Sequence, residues 1–326
     1  MKIADVTKLC VALSILAGIL LSPARADTLY VTLEKDNAIA VVDAKSLQLL
    51  KTVDVGQRPR GIAVSPDGRS LFVAVSDDDT ILKIDLNDFG VKARLPSGED
   101  PETFVLGPAG ERLYVSNEDD NLVTVIDLAS AQAIKTIPVG VEPEGIAASP
   151  DGTWIVSTSE TTNMVHWIDP KTLEVTDNTL VDPRPRAAAF SSDSRELWVS
   201  SEIGGSVAVI DTASKQIKQK IRFEIPGITS EMIQPVGVVI DQVHKYGYVA
   251  LGPANRVAVV DAASLEVVKY LLVGQRVWNL CFSSDQKWLY TTNGLSNDIS
   301  IIDLDELEVV KSLLVGRYPW GVAVKP

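Results

Sequence analysis

Leu122-Val123-Thr124-Val125-Ile126-Asp127 is a short aliphatic run closed by an aspartate, and the same ending returns all along the chain. It stands at Val42-Asp43, Ile84-Asp85, Ile126-Asp127, Ile168-Asp169, Ile210-Asp211, Val260-Asp261 and Ile302-Asp303, at intervals of 42, 42, 42, 42, 50 and 42 residues. A period of about 40 to 45 residues with four strands per unit is the signature of a β-propeller. The expected fold class is therefore all-β, a seven-bladed β-propeller of four-stranded antiparallel blades.

One unit, Gly98 to Gly140, shows the layout. Phe104-Val105-Leu106 is an inner strand, followed by a Gly107-Pro108-Ala109-Gly110 turn and a second strand, Leu113 to Asn117. After a Glu118-Asp119-Asp120-Asn121 loop, Leu122 to Ile126 makes the third strand and Ile134 to Val139 the fourth. Turn chemistry repeats with the strands. Ser65-Pro66-Asp67-Gly68 and Ser149-Pro150-Asp151-Gly152 join first to second strands; Asp43-x-x-Ser46, Asp127-x-x-Ser130, Asp169-x-x-Thr172, Asp211-x-x-Ser214 and Asp261-x-x-Ser264 join third to fourth. An aspartate opening such a turn accepts backbone N–H groups, so these seven carboxylates read as scaffold rather than as metal ligands or catalysts.

The two ends belong to one blade. Leu29-Tyr30-Val31-Thr32 aligns with a second strand, whereas Tyr318-Pro319-Trp320-Gly321-Val322-Ala323-Val324 aligns with a first strand and stops. The last strand should join the N-terminal blade, which leaves no open edge in the ring. Before this, residues 1–26 read as a secretory signal: Lys2 and Lys8, an apolar run from Leu9 to Leu21, and Ala24-Arg25-Ala26 before a cleavage point at Asp27. The domain is thus expected over residues 27–326, exported to a bacterial periplasm, monomeric, and without a membrane span once the signal is removed. Loss of Lys2, Lys8, Arg25 and Asp5 takes the net charge from −13 to −15. Such acidity argues against nucleic acid and anionic membranes and suits a cationic partner. Cys10 leaves with the signal, and Cys281 alone can form no internal disulfide.

Leu113-Tyr114-Val115-Ser116-Asn117 resembles the motif of the YVTN-repeat propeller family, with further copies at Leu29 to Thr32 and Leu289 to Asn293. The Pro-x-Gly-[Ile/Val]-Ala openings at Pro59, Pro143 and Pro319 belong to the same pattern. Repeat layout, length and export signal together resemble the seven-bladed propellers associated with pyrroloquinoline quinone (PQQ)-dependent catabolism. That resemblance implies an accessory or binding protein of PQQ-dependent alcohol oxidation, with a PQQ-dependent dehydrogenase or its cytochrome c as partner and PQQ itself as a conceivable ligand.

Recognition residues should break the repeat where the channel opens. The position before the repeat's glycine reads Arg60, Glu102, Glu144, Arg186, Val236, Trp278 and Trp320; two residues earlier stand Arg58, Asp100, Glu142, Arg184, Gln234, Arg276 and Tyr318. The ends of the second strands add Glu118, Glu160 and Glu202, and Arg317 lies beside this series. Arginine forks and tryptophan faces suit a small anionic aromatic ligand such as PQQ. The carboxylate arc could instead seat a divalent cation, or arginines and glutamates could simply pair with one another. The one irregular interval places eight extra residues within Arg222 to Gln234, either a cover for the mouth, a partner contact or a neutral extension.

Catalytic signatures fail one by one. His244 is expected in a turn on the opposite face and His166 in a third strand, so they should not meet in a metal site or triad. Cys281 reads as a small buried filler of an inner strand, and no haem-attachment, P-loop, dinucleotide or Gly-x-Ser-x-Gly motif occurs. Three functions stay open: the accessory binder, a seven-bladed lactonase using Arg60, Glu144, Glu160 and Arg186, and an envelope interaction scaffold. For the lactonase, carboxylates facing arginines are expected to stay ionised and to serve poorly as general acids.

Overall fold

The computed structural model describes residues 27–243 and 245–325. The signal segment with Cys10, and the His244 position, lie outside them. Seven four-stranded antiparallel sheets form the ring. Blade 1 comprises Pro59–Val64, Ser70–Val75, Thr80–Asp85 and Val91–Pro96. Blades 2, 3 and 4 repeat this from Pro101, Pro143 and Pro185, and blades 5 and 6 from Val238 and Val277. Blade 7 is Pro319–Lys325 followed by Thr28–Leu33, Ala38–Asp43 and Gln48–Asp54, so the two ends share one sheet. The closing pair runs Thr28↔Lys325, Leu29↔Val324, Tyr30↔Ala323 and Val31↔Val322. Among the described residues no helix is long and apolar enough to cross a membrane.

Seven apolar clusters hold the ring, one at each seam between neighbouring blades. At the seam of blades 2 and 3, Tyr114, Val123, Val125 and Ile137 pack on Ile155 and Ile168. Each such side chain, fully buried, contributes about 1.5–3 kcal/mol. Because blades stack face to face, both faces of the second and third strands are covered. Leu71 to Val75 is buried throughout, whereas Gln48–Asp54 of an outer strand is mostly exposed. That explains why the inner runs look continuously apolar instead of alternating. Seam contact is close enough to require glycine at 247, where a Cβ would collide with the Trp198 ring.

The expected turns form. Asp127 Oδ1 accepts Ser130 N at 2.7 Å and Ser130 Oγ at 2.6 Å, and Asp43, Asp211 and Asp261 do the same for Ser46, Ser214 and Ser264. At Asp169 the acceptor takes Lys171 N instead, at 2.8 Å.

Candidate functional site

A second device, with the same period, sets the geometry of the channel mouth. Asn37, Asp79, Asn121, Asn163, Asn255 and Asn297 each end the loop between second and third strands in the left-handed conformation. Each side-chain oxygen accepts the backbone N–H of the residue that opens the next blade: Arg58, Asp100, Glu142, Arg184, Arg276 and Tyr318, at 2.8–3.1 Å. Those receiving residues are left-handed as well, with φ between 48° and 60°. The uneven side-chain series at 58, 100, 142, 184, 276 and 318 therefore rides on a uniform backbone. Sequence reasoning passed over this clasp, although its spacing was visible.

The clasp fails once, at Gly205, which keeps the left-handed backbone but has no side chain to offer. The eight extra residues follow there. Phe223 and Ile233 are buried with Val207, Val209, Leu251 and Ala254, and Glu224 N donates to Tyr270 Oη at 3.1 Å. The insertion fills the seam of blades 4 and 5, and the inner strand of blade 5 shrinks to Val238–Ile240. None of the three readings foresaw this: Phe223 and Ile233 anchor the segment in the seam, while Pro226, Gly227 and residues 229–232 between them are exposed.

Hydroxyls fix the mouth residues from behind. Thr32, Thr158, Ser200 and Thr292 donate to the carbonyls of Arg60, Arg186, Val236 and Trp320 at 2.5–2.9 Å. Gly145 sits against the Arg186 carbonyl so tightly that a Cβ would collide with it.

On this frame the sequence-identified residues come together as two linked ion-pair networks. In the first, Arg58 reaches Glu102 at 2.5 Å and Asp100 at 2.7 Å, while Arg60 bonds Glu102 and approaches Glu34 at 3.6 Å. In the second, Arg186 bonds Glu160, reaches Glu144 at 2.9 Å and lies 3.7 Å from Glu202. Arg184 bridges Glu160 at 2.8 Å and Glu202 at 3.1 Å, and Arg276 joins Glu202 and Gln234 at 2.8 and 2.7 Å. The guanidiniums of Arg276 and Arg60 lie over the rings of Trp278 and Trp320, 4.1 and 5.3 Å from their centroids. Glu118 stands beside the first network, with one of its carboxylate oxygens within 4.8 Å of oxygens of Asp100 and Glu102. Arg317 departs from the group: it is exposed at the rim and pairs with Asp36 at 2.5 Å.

The electrostatics correct one expectation. Seven mouth carboxylates (Glu34, Asp100, Glu102, Glu118, Glu144, Glu160 and Glu202) face five guanidiniums, and most are removed from solvent. Burial lifts Glu102 well above the usual carboxylate range, with Glu144 adding to it, even though Arg60 and Arg58 pull the other way. Burial likewise pushes Glu160 up to about 7 against the pull of Arg186. Facing an arginine does not hold these two low, because desolvation outweighs the partner. Glu202 follows the simpler rule: three arginines overcome its burial and hold its carboxyl low.

Beside the second network lies a cavity of about 190 Å³, lined by Glu144, Arg186, Trp278, Trp320, Val236 and Leu280 among others. The candidates set aside in the sequence remain apart from it. His166 is buried in a third strand, with Nε2 accepting Gly140 N at 2.9 Å and Nδ1 against Asn178. Cys281 is half-buried on the inner strand of blade 6, more open than a core filler, yet its surroundings push the thiol up to about 12.

A closed ring of seven blades whose variable side chains gather at one channel mouth defines the class: a seven-bladed β-propeller. The chain belongs to the YNCE-like beta-propeller family, whose family model matches residues 41–227. In fold it is similar to the hydrazine synthase of Kuenenia stuttgartiensis, with a TM-score of 0.78 and 21% identity over 85% of this chain and 92% of that one. A functionally unknown protein from Desulfotomaculum acetoxidans gives 0.78 at 17% identity, over 91% and 98% of the two chains. A candidate 6-phosphogluconolactonase from Bacteroides uniformis gives 0.76 at 14%, over 92% and 99%. At these identities the likeness is one of fold. No curated protein matches the chain in sequence.

Proposed function

We propose that this propeller is an exported accessory protein of PQQ-dependent alcohol oxidation that binds without catalysing, and that its mouth face engages a cationic protein partner, a dehydrogenase or its cytochrome c. The pathway rests on the family resemblance of the repeats, and export on the Lys2, Lys8 and Ala24-Arg25-Ala26 pattern. One observation carries the choice of partner: the guanidiniums of Arg58, Arg60, Arg184, Arg186 and Arg276 are already committed to glutamates and aspartates. Few guanidinium edges remain for the carboxylates of PQQ. The cavity of about 190 Å³ is also smaller than the roughly 300–1,000 Å³ of ordinary ligand pockets. What the face offers instead is fixed negative charge, with Glu99 and Asp119 exposed at its rim, suited to steering a basic partner.

Purified protein should bind the dehydrogenase or cytochrome, and more weakly as salt rises. The double variant Glu99→Lys, Asp119→Lys should slow association by about tenfold. Absence of binding to either protein, together with normal growth of a deletion strain on alcohols, would overturn the reading. A PQQ titration followed by tryptophan fluorescence tests the small-ligand version through Trp278 and Trp320. A lactonase stays as a second reading because Glu160, lifted to about 7 beside Arg186, has the acidity of a general acid–base group. Lactone hydrolysis that disappears in Glu160→Gln would establish it. An interaction scaffold with another partner would use the same face.

A further inference from the structure

We infer that the seam between blades 6 and 7, on the face opposite the mouth, is a binding site for a small alkylammonium ion. A cavity of about 490 Å³ opens there, walled by Leu47, Trp288, Tyr290 and Ile301, with Asp27 and Asp285 on its border. That volume falls within the roughly 300–1,000 Å³ of ordinary ligand pockets. The turns beside it join first to second and third to fourth strands, and so lie away from the mouth, where second strands run into third.

The seam of blades 3 and 4 carries the same site already filled. The two frames match bond for bond. Trp154 N and Trp288 N donate to Ser149 Oγ and Ser283 Oγ at 2.9 and 3.0 Å. Thr212 N and Ala44 N donate to the carbonyls of Arg195 and Asp27, both at 3.0 Å. Lys215 and Leu47 hold one position, four residues after Asp211 and Asp43, and both are left-handed, with φ of 57° and 52°. At blades 3 and 4 the Lys215 ammonium lies over the Trp154 ring, 4.2 Å from its centroid and 5.9 Å from that of Trp167, with Asp177 at 3.4 Å. At blades 6 and 7 the first indole is kept as Trp288, while Leu47 replaces the cation and Ile301 the second indole. The chain supplies its own occupant at one seam and has a cavity in its place at the other.

Charge selects the guest. An indole face attracts a cation through its ring quadrupole, more strongly where water is excluded. The carboxylates of Asp27 and Asp285 act on the same wall: burial and then these two groups push the Tyr290 phenol up. Lys45 also borders the cavity, but it is exposed and its charge acts on Asp43. Leu47 and Ile301 cover an alkyl chain, and Trp288 with the two carboxylates receives the charged end.

This seam lies away from the proposed partner surface, so the two are tested separately. n-Butylammonium chloride, the Lys215 side chain cut free, is titrated calorimetrically into the purified protein against NaCl at equal ionic strength. One ion per chain should bind, with Kd on the order of 1 mM. Leu47→Lys rebuilds the Lys215 arrangement and should weaken that binding at least about tenfold, and Trp288→Leu should do the same by removing the ring face. 1-Butanol, of equal length and uncharged, should bind at least about tenfold more weakly than the amine. No saturable heat from the wild type up to about 50 mM amine, equal binding of 1-butanol, or unchanged affinity in either folded variant would overturn the assignment.

Discussion

Glu160 shows how one buried carboxyl couples the mouth to pH. Its folded pKa of about 7 lies above the ordinary carboxylate value of 4.5. The folded state thus holds a proton that the unfolded chain has released, and this stabilisation is complete below about pH 4.5 and lost as pH rises through about 7. The Asx-turn aspartates run oppositely: hydrogen bonds from Ser46, Ser130, Ser214 and Ser264 keep Asp43, Asp127, Asp211 and Asp261 low. Their stabilisation disappears only in stronger acid. Melts of chelator-treated protein should therefore show a decline between pH 5 and pH 7.5 on the order of 2 kcal/mol. Glu160→Gln should remove most of that slope; an unchanged slope would assign it to other groups. The sequence located this residue but not its acidity, because its acidity depends on how far the ring excludes water, which no local pattern records. Pairing of the arginines with glutamates was among the readings the sequence offered and is borne out; which carboxylates Arg58, Arg60 and Arg186 each take was not legible. Arg276 reaches Glu202 across 74 residues of sequence, a contact only the closed ring creates.

At the scale of the element, the Asn121 clasp carries two separable costs. Asn121→Ala loses the bond to Glu142 N and puts an alanine at a φ of 56°; together these should destabilise by about 2 kcal/mol. Asn121→Gly loses only the bond and should cost about 1 kcal/mol. Denaturant melts of the two variants decide whether the side-chain bond or the backbone conformation dominates; equal losses would refute the conformational part. The strands were readable because apolar runs and Ser-Pro-Asp-Gly turns act locally. This clasp repeats just as faithfully, but an asparagine in a loop resembles ordinary turn punctuation until its partner 21 residues later is known. The exception was legible as the 50-residue interval; the missing side chain at Gly205 that accompanies it was not.

For the molecule as a whole, closure is the cooperative step. Thr32 Oγ1 accepts Gly321 N at 2.8 Å across 289 residues, and removing Pro319 onward would bare the edge of Thr28–Leu33 while opening the seam where Val322 and Val324 pack. A chain ending at Tyr318 should not behave as a six-bladed ring. It should aggregate or melt without a sharp transition, since an unpaired edge strand is a template for other chains; a sharp monomeric melt near that of the intact protein would refute this. The shared backbone at 58, 100, 142, 184, 276 and 318 has a wider consequence. Six of the blades offer their neighbour the same backbone socket whatever side chain stands there. Exchanging Glu142 for arginine changes the rim while leaving the backbone bond to Asn121 in place, whereas Arg58 is tied to the buried Glu102 and is not free to change. Such a rim works as a dial, on which new binding preferences can be set one notch at a time.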